Sequence, residues 1–442
     1  MPINRKTINQ HLQERSIGLS LPVIVGFICG LESALIRTIV PFTFGRVMTV
    51  AGLNELFTVP VILASLVIGA YLTGSLTDRM REASGVGLDV AIESYHSRAG
   101  MLPAKFAPLK FLATLFTLGL GGSGGLVGPT AVIGQGTASY FSSWFKLSWH
   151  KSRILALCGI AGCVSGLLHV PFGAAVLALE LCYLGGIIYE GFVPVLLSSI
   201  SAYIMSARIA QKLPFGDLFQ QPHLFRTTVY DTAFPWSLDH LAYCIIAALV
   251  TTLLGVLFIK TFLAFRKFSN IESKNKYGLV IGALFVGLIA ILFFRDRPAD
   301  VLGEPSALVE RCATAGKEYS LGAAVALLIG RWATTFLTIG LGGSGGLFAP
   351  TVLMGGLAGT IAAHILNANI MVLVTTGTAA ALAGVINVPI AAVIIVVEVF
   401  GVGFIIPAAI GSAVAFLLAK NVVIYPHIER IKPPEATTGH DI

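Results

Sequence analysis

Charge is what this 442-residue sequence has least of: Asp, Glu, Lys and Arg together make up 12% of it, against 55% hydrophobic residues. Soluble domains carry about twice that share of charge, so a chain bathed in water along its whole length is excluded. Paired cysteines are also missing. Cys29, Cys158, Cys163, Cys182, Cys244 and Cys312 stand far apart with no C-x-x-C spacing, which suggests neither a disulfide framework nor a metal site. No Gly-rich loop of the P-loop type occurs, and this argues against an ATP-driven pump. No catalytic residue set or cofactor motif points to an enzyme. Basic residues are scattered at the ends of apolar stretches rather than gathered into a patch, so nucleic acid is not an expected partner. A cleavable leader is not expected either, because Met1 to Ser16 is polar and no small-residue cleavage pattern follows the first apolar run.

What is present is hydropathy. The mean is +0.85, and apolar runs approaching the roughly 20 residues that cross a bilayer recur at Leu19 to Leu31, Phe57 to Leu72, Leu241 to Ile259, Tyr277 to Phe294 and Val402 to Leu418. An all-α polytopic membrane protein in contact with lipid follows. Several runs are interrupted, and 48 Gly and 20 Pro predict helices that stop partway through the membrane, where their ends must be buried in protein or line a cavity. Arg5, Lys6 and Arg15 precede the first run, and Arg79 and Arg81 lie in Asp78 to Glu82, whereas the intervening loop holds only Arg46. The positive-inside bias then places the N-terminus in the cytoplasm.

The strongest internal signal is duplication. Leu118 to Thr130 reads LGLGGSGGLVGPT and Ile339 to Thr351 reads IGLGGSGGLFAPT. Pro129 and Pro350 are 221 residues apart (350 minus 129), half the chain. Upstream, Lys110 to Thr117 resembles Arg331 to Thr338. Downstream, Val170-Pro171 and Val388-Pro389 are each followed nine residues after the proline by an acid, Glu180 and Glu398, at an offset of 218 (398 minus 180). Near-constant offsets over three blocks indicate two related halves. The division expected is residues 1–18 as an N-terminal segment, 19–212 as the first repeat, 213–236 as a linker, 237–420 as the second repeat, and 421–442 as a final segment and tail. If each half crosses the membrane an odd number of times, the halves are inverted and their shared sites fall at mid-depth.

Proline suits the first turn of a helix, where its missing N–H would be unpaired. The glycines before Pro129 and Pro350 leave backbone N–H groups uncovered, and the N-terminal end of a helix carries about half a positive charge. Two such ends make an anion cradle whose partial charges bind weakly enough to let the ion go. The same glycines also suit close packing at helix crossings; the second copy, proline included, favours the cradle.

At these residues the sequence resembles the CLC family of chloride channels and transporters, over about Leu19 to Tyr425. The family's GSGIP element looks like Ala83-Ser84-Gly85-Val86-Gly87, its GREGP element like Gly125-Leu126-Val127-Gly128-Pro129, and its GxFxP element like Gly346-Leu347-Phe348-Ala349-Pro350. Its late pore tyrosine matches Tyr425. The resemblance implies a homodimer with one pore per subunit, each built from two inverted halves totalling about 18 helices, many tilted or partial. It implies chloride as the bound ligand, held centrally by the Ser84 and Tyr425 hydroxyls and the backbone around Gly85, Leu347, Phe348 and Ala349, with an outer site around Leu126, Val127 and Gly128. Read without the family, Ser84 could cap a helix opening at Gly85, and Tyr425 could be an interfacial anchor.

Departures from the family pattern carry the sharper expectation. In its proton-coupled members the gating position holds a glutamate, and here it is Val127; the inner proton-transfer glutamate aligns with Leu181. Neither side chain can titrate, which predicts passive conduction of chloride and similar anions without proton coupling. An exchanger using another acid, or a non-conducting anion sensor, would be the alternatives. Glu180, one position before Leu181, is ionisable in an apolar stretch and so a relay candidate, but its symmetry with Glu398 favours a structural role, satisfying N–H groups of neighbouring helices. Nitrate-preferring members of the family tend to carry proline at the position of Ser84, so the resemblance implies chloride over nitrate. Gly87 in place of the family's proline is expected to loosen the start of the following helix. The compact length suggests a bacterial-type plasma membrane.

Overall fold

The computed structural model describes residues 5–53, 55–78, 80, 83–210, 238–269, 276–315 and 319–430, with side chains from Leu19 onward apart from those of Glu55, Ala210, Thr314, Ala315 and Arg430. The expected linker 213–236, the Arg79 and Arg81 charges and the side chains of Arg5, Lys6 and Arg15 lie outside the described residues. Within them are sixteen α-helices in two sets of eight. The first set is α1 (Arg5–Ala51), α2 (Glu55–Thr77), α3 (Leu88–Ser97), α4 (Phe106–Gly119), α5 (Val127–Trp144), α6 (Trp149–Leu168), α7 (Pro171–Glu180) and α8 (Phe192–Ala210). The second is α9 (Leu238–Phe268), α10 (Lys276–Phe293), α11 (Ser306–Ala315), α12 (Leu321–Ile339), α13 (Phe348–Leu366), α14 (Ile370–Ala381), α15 (Pro389–Phe400) and α16 (Ile405–Ala419). Nine helices among the described residues are long and apolar enough to cross a membrane, so the protein is an integral multi-pass membrane protein. α3, α4, α7, α11, α14 and α15 are the short helices that the Gly and Pro content anticipates.

Local chemistry repeats between the sets. Ser148 caps α6 by accepting from the Lys151 N–H, and Asn369 caps α14 by accepting from Val372. α6 closes on His169 and the five-residue π-turn after α14 closes on Asn387, both in the left-handed conformation. Pro171 and Pro389 then open α7 and α15 at the first helical position, where proline removes no needed donor.

Packing follows the small residues. A Cβ on Gly134 or Gly159 would run into the other's backbone between α5 and α6, and Gly355 and Gly377 do the same between α13 and α14. Backbones that close leave little between them, and these four helices are buried along most of their length, as expected where packing rather than hydrophobicity joins helices in lipid. The outer helices instead turn Ile68, Leu253, Leu292 and Phe293 outward, each more than half exposed. β1 (Tyr183–Leu184) and β2 (Glu429–Arg430) form a two-residue parallel pair, which ties the segment after α16 back to the end of α7.

Candidate functional site: two helix openings meeting in the core

The two glycine-rich blocks meet. Gly125 and Gly346 form an isolated antiparallel bridge, the Gly125 N–H donating to the Gly346 carbonyl at 2.8 Å and the Gly346 N–H donating to the Gly125 carbonyl at 2.6 Å. Only glycine permits this approach: a Cβ on Gly346 would stand 2.7 Å from the Gly128 nitrogen and one on Gly125 would stand 3.1 Å from the Ala349 nitrogen. Two residues beyond each bridge partner a helix opens, α5 at Val127 and α13 at Phe348, with Leu126 and Leu347 at the N-caps and no side-chain cap on either. Their first N–H groups have no partner within the helix. Leu126, Val127, Leu347, Phe348 and Ala349 are all at most 2% exposed.

Hydroxyls lock this arrangement symmetrically. The Ser123 N–H donates to Thr338 Oγ1 and the Ser344 N–H to Thr117 Oγ1, both at 3.0 Å. Ser123 Oγ meets Thr335 Oγ1 at 3.2 Å and Ser344 Oγ meets Thr114 Oγ1 at 2.9 Å. Each half therefore holds the other's glycine loop in place.

Ser84 lies in the loop before α3, and that loop abuts the same point. The Gly85 carbonyl accepts from the Gly345 N–H at 3.4 Å, and a Cβ on Gly87 would stand 2.9 Å from the Gly128 carbonyl oxygen. Two expectations change here. α3 opens at Leu88 with Gly87 at its N-cap and no side-chain cap, so Ser84 is not a helix cap. Gly87 has φ +89, which proline cannot reach; glycine fits the loop tightly against α5 rather than loosening it.

Tyr425 is 1% exposed and its hydroxyl has no hydrogen-bond partner among the described residues. An interfacial anchor would have its hydroxyl in water; this one is sealed in. Burial, aided by the Asp89 carboxylate in the first turn of α3, pushes the phenol above its ordinary range, so it remains a neutral donor. The Glu429 N–H on the Cys182 carbonyl and His96 Nε2 on the same oxygen at 2.9 Å fix the segment that carries it. Leu181 is buried at the end of α7.

Three residues that carry this geometry escaped the reading of the motifs. Lys110 on α4 is fully buried and donates to the Ala83 and Gly85 carbonyls at 3.1 and 2.9 Å. Its repeat partner Arg331 donates to the carbonyls of Asp300, Leu302 and Gly303 at 2.7, 3.0 and 2.8 Å. Gly303 mirrors Gly85, and its carbonyl accepts from the Gly124 N–H at 3.4 Å. The mirror stops there. Leu302 stands where Ser84 stands, and Glu304 accepts from the Ser306 N–H and hydroxyl. One loop thus carries a hydroxyl side chain at this position and the other does not. Extending the 218-residue offset upstream from Glu180 and Glu398 to Gly85 and Gly303 would have exposed this from sequence.

Glu180 and Glu398 act reciprocally. Glu180 accepts from the Ile390 and Ala391 N–H groups at 3.1 and 2.9 Å, and Glu398 from Phe172 and Gly173 at 3.0 and 2.7 Å. Each carboxylate caps the helix of the opposite half, where the dipole favours a negative charge. Glu180→Ala is expected to destabilise the protein by about 1–3 kcal/mol, the cost of leaving such donors unmet, without moving the chloride reversal potential. Thermal unfolding in detergent and flux in liposomes check the two halves of that statement.

A family model described as voltage gated chloride channel matches residues 65–420. The chain belongs to this family, the CLC family. An uncharacterized protein of Methanocaldococcus jannaschii is 25% identical over 411 residues, covering 93% of this chain and 95% of its own. The chloride/fluoride channel protein of Pseudomonas syringae pv. tomato is 21% identical over 380 residues, covering 85% and 79%. The H(+)/Cl(-) exchange transporter ClcA of Vibrio cholerae serotype O1 is 26% identical over 381 residues, covering 82% and 77%. A crystal structure of a CLC-type fluoride/proton antiporter superposes with TM-score 0.80 at 20% identity, covering 94% of this chain and 98% of its own. This CLC protein therefore shares both its fold and its family's anion-transport role with proteins named as channels and as exchangers.

Proposed function

We propose that this CLC protein conducts chloride and similar small anions passively, without moving protons in exchange. The observation that carries the reading is the bridge at Gly125 and Gly346, which sets the openings of α5 and α13 side by side in a buried place. An anion there would be met by the N–H groups of Leu347 and Phe348 and by the Ser84 and Tyr425 hydroxyls, with a neighbouring position at the N–H groups around Val127. All of these donate without a fixed charge, so the ion exchanges its water for partial charges and can leave again. The Lys110 ammonium stands one layer back, its protons on the carbonyls of the Ser84 loop, where it adds positive potential without touching the path.

Absence of coupling is supported by the side chains at two places. Val127 and Leu181 are buried hydrocarbon where a proton route would need acids, and Glu180 and Glu398 spend their oxygens on helix caps. We further propose a homodimer with one path per subunit, in a bacterial-type plasma membrane with the N-terminus in the cytoplasm. Reconstitution into liposomes with simultaneous chloride and proton recording tests the main statement. Under a pH gradient the reversal potential should follow chloride alone; a proton-dependent shift would make the protein an exchanger with an unconventional acid. Saturable anion binding without flux would make it a sensor.

A further inference from the structure

We propose that Cys29, Glu32 and Cys163 form a binding site for a thiophilic divalent cation of the zinc class, placed between α1, α5 and α6 away from the anion path. Cys29 and Glu32 lie one turn apart on the same face of α1, and Cys163 faces them from α6. One ligand atom from each, two sulfurs and a carboxylate oxygen, lie within 4.8 Å of one another. Cys163 Sγ is 3.6 Å from Glu32 Oε2 and 3.6 Å from the Cys29 carbonyl oxygen. In a tetrahedral zinc site, with bonds of about 2.3 Å to sulfur and about 2.0 Å to oxygen, neighbouring donors are separated by roughly 3.5 Å. The Cys163–Glu32 pair is already at that spacing, and the remaining separations, within 4.8 Å, need only small side-chain rotations to reach it.

The surroundings are those of a held ligand set. Thr137 of α5 donates to Glu32 Oε1 at 2.5 Å, which leaves Oε2 on the thiol side and fixes the carboxylate as outer hydrogen bonds do in metal sites. Helix approach is close because small residues face the cluster: a Cβ on Gly134 would stand 2.7 Å from Cys163 Sγ, and one on Gly162 would stand 3.0 Å from the Cys29 Cβ. Both cysteines are fully buried. Among the described residues no Lys or Arg forms an ion pair with Glu32, and a carboxylate inside a membrane helix calls for a proton or a cation.

Donor chemistry selects the metal class. Two sulfurs disfavour magnesium and calcium, which take oxygen, and favour zinc, cadmium or copper. On coordination each thiol gives up its proton, so two thiolates and a carboxylate surround the dication and two protons leave to solvent. Thr137 is ten residues along α5 from Val127, about 15 Å of helix, so the metal would clamp α1 and α6 to the helix whose opening faces the anion. Sequence spacing conceals the site, because Cys163 is 134 residues from Cys29 (163 minus 29).

The full chain, purified in detergent and stripped with a chelator, would be titrated with cadmium. One cadmium per chain and a thiolate-to-cadmium ultraviolet absorption are expected. Cys29→Ser and Cys163→Ser should each weaken binding at least tenfold, whereas Cys158→Ser, at a buried cysteine outside the cluster, should leave it unchanged. Zinc-edge X-ray absorption on the unsubstituted chain should show two sulfur neighbours at about 2.3 Å, and this reading stands even if a serine variant does not fold. Absence of stoichiometric binding, a band indifferent to both substitutions, or a zinc shell without sulfur would overturn the proposal.

Discussion

Val127→Glu should turn a pH-insensitive chloride flux into a pH-gated one, lowering it at least tenfold at neutral pH and restoring it toward the unsubstituted rate in acid. A carboxylate at the first residue of α5 would compete with chloride for the same N–H groups, since a helix opening favours any negative charge. Protonation removes the charge and with it the competition. The sign is therefore fixed: flux falls as pH rises through the carboxyl's titration. Because Leu181 still lacks an acid, the variant should gate without acquiring stoichiometric proton exchange. Chloride efflux from liposomes at acidic and neutral pH, recorded with proton uptake, measures both. Flux equal to that of the parent at every pH would remove Val127 from the anion path.

Gly346→Ala should abolish most of the flux by prying the two openings apart. Its new methyl would stand 2.7 Å from the Gly128 nitrogen, 3.1 Å from the Gly128 Cα and 3.2 Å from the Gly125 carbonyl oxygen. All three are backbone, so no side-chain rotation relieves the overlap. The cost expected of overpacking is about 1–3 kcal/mol, and the displacement falls on the N–H groups that would hold the ion. Flux is expected to drop at least tenfold. Gly322→Ala is the control: its Cβ would meet nothing within 4 Å, and alanine suits α12 better by up to about 1 kcal/mol, so flux should be unchanged. Equal flux in both variants would mean that the bridge does not frame the path.

Fold class and repeat were legible because they are written in long-range pattern. Hydropathy marked the spans, and the duplicated GLGGSGGL marked the two segments that the structure brings into contact. The reciprocal caps of Glu180 and Glu398 were legible for the same reason, as a symmetric pair of acids cannot both be explained by a single relay. What stayed hidden depends on three-dimensional closure. Nothing local to Ser84 says that its helix waits until Leu88, because the delay comes from the left-handed turns at Gly85 and Gly87. Lys110 reads as a charge at the edge of an apolar run, yet it is buried since its ammonium is consumed by the carbonyls of that turn. Cys29 and Glu32 are one helical turn apart, but Cys163 is remote from both in sequence, and only the parallel course of α1 and α6 brings it to them.

Crystals grown or soaked in bromide would test the central geometry most directly, through anomalous X-ray scattering. The account predicts a bromide peak in each subunit between the openings of α5 and α13, within hydrogen-bond reach of the Leu347 or Phe348 N–H and of the Ser84 or Tyr425 hydroxyl. A well-bound bromide found only elsewhere, with that position empty in a flux-competent preparation, would contradict it.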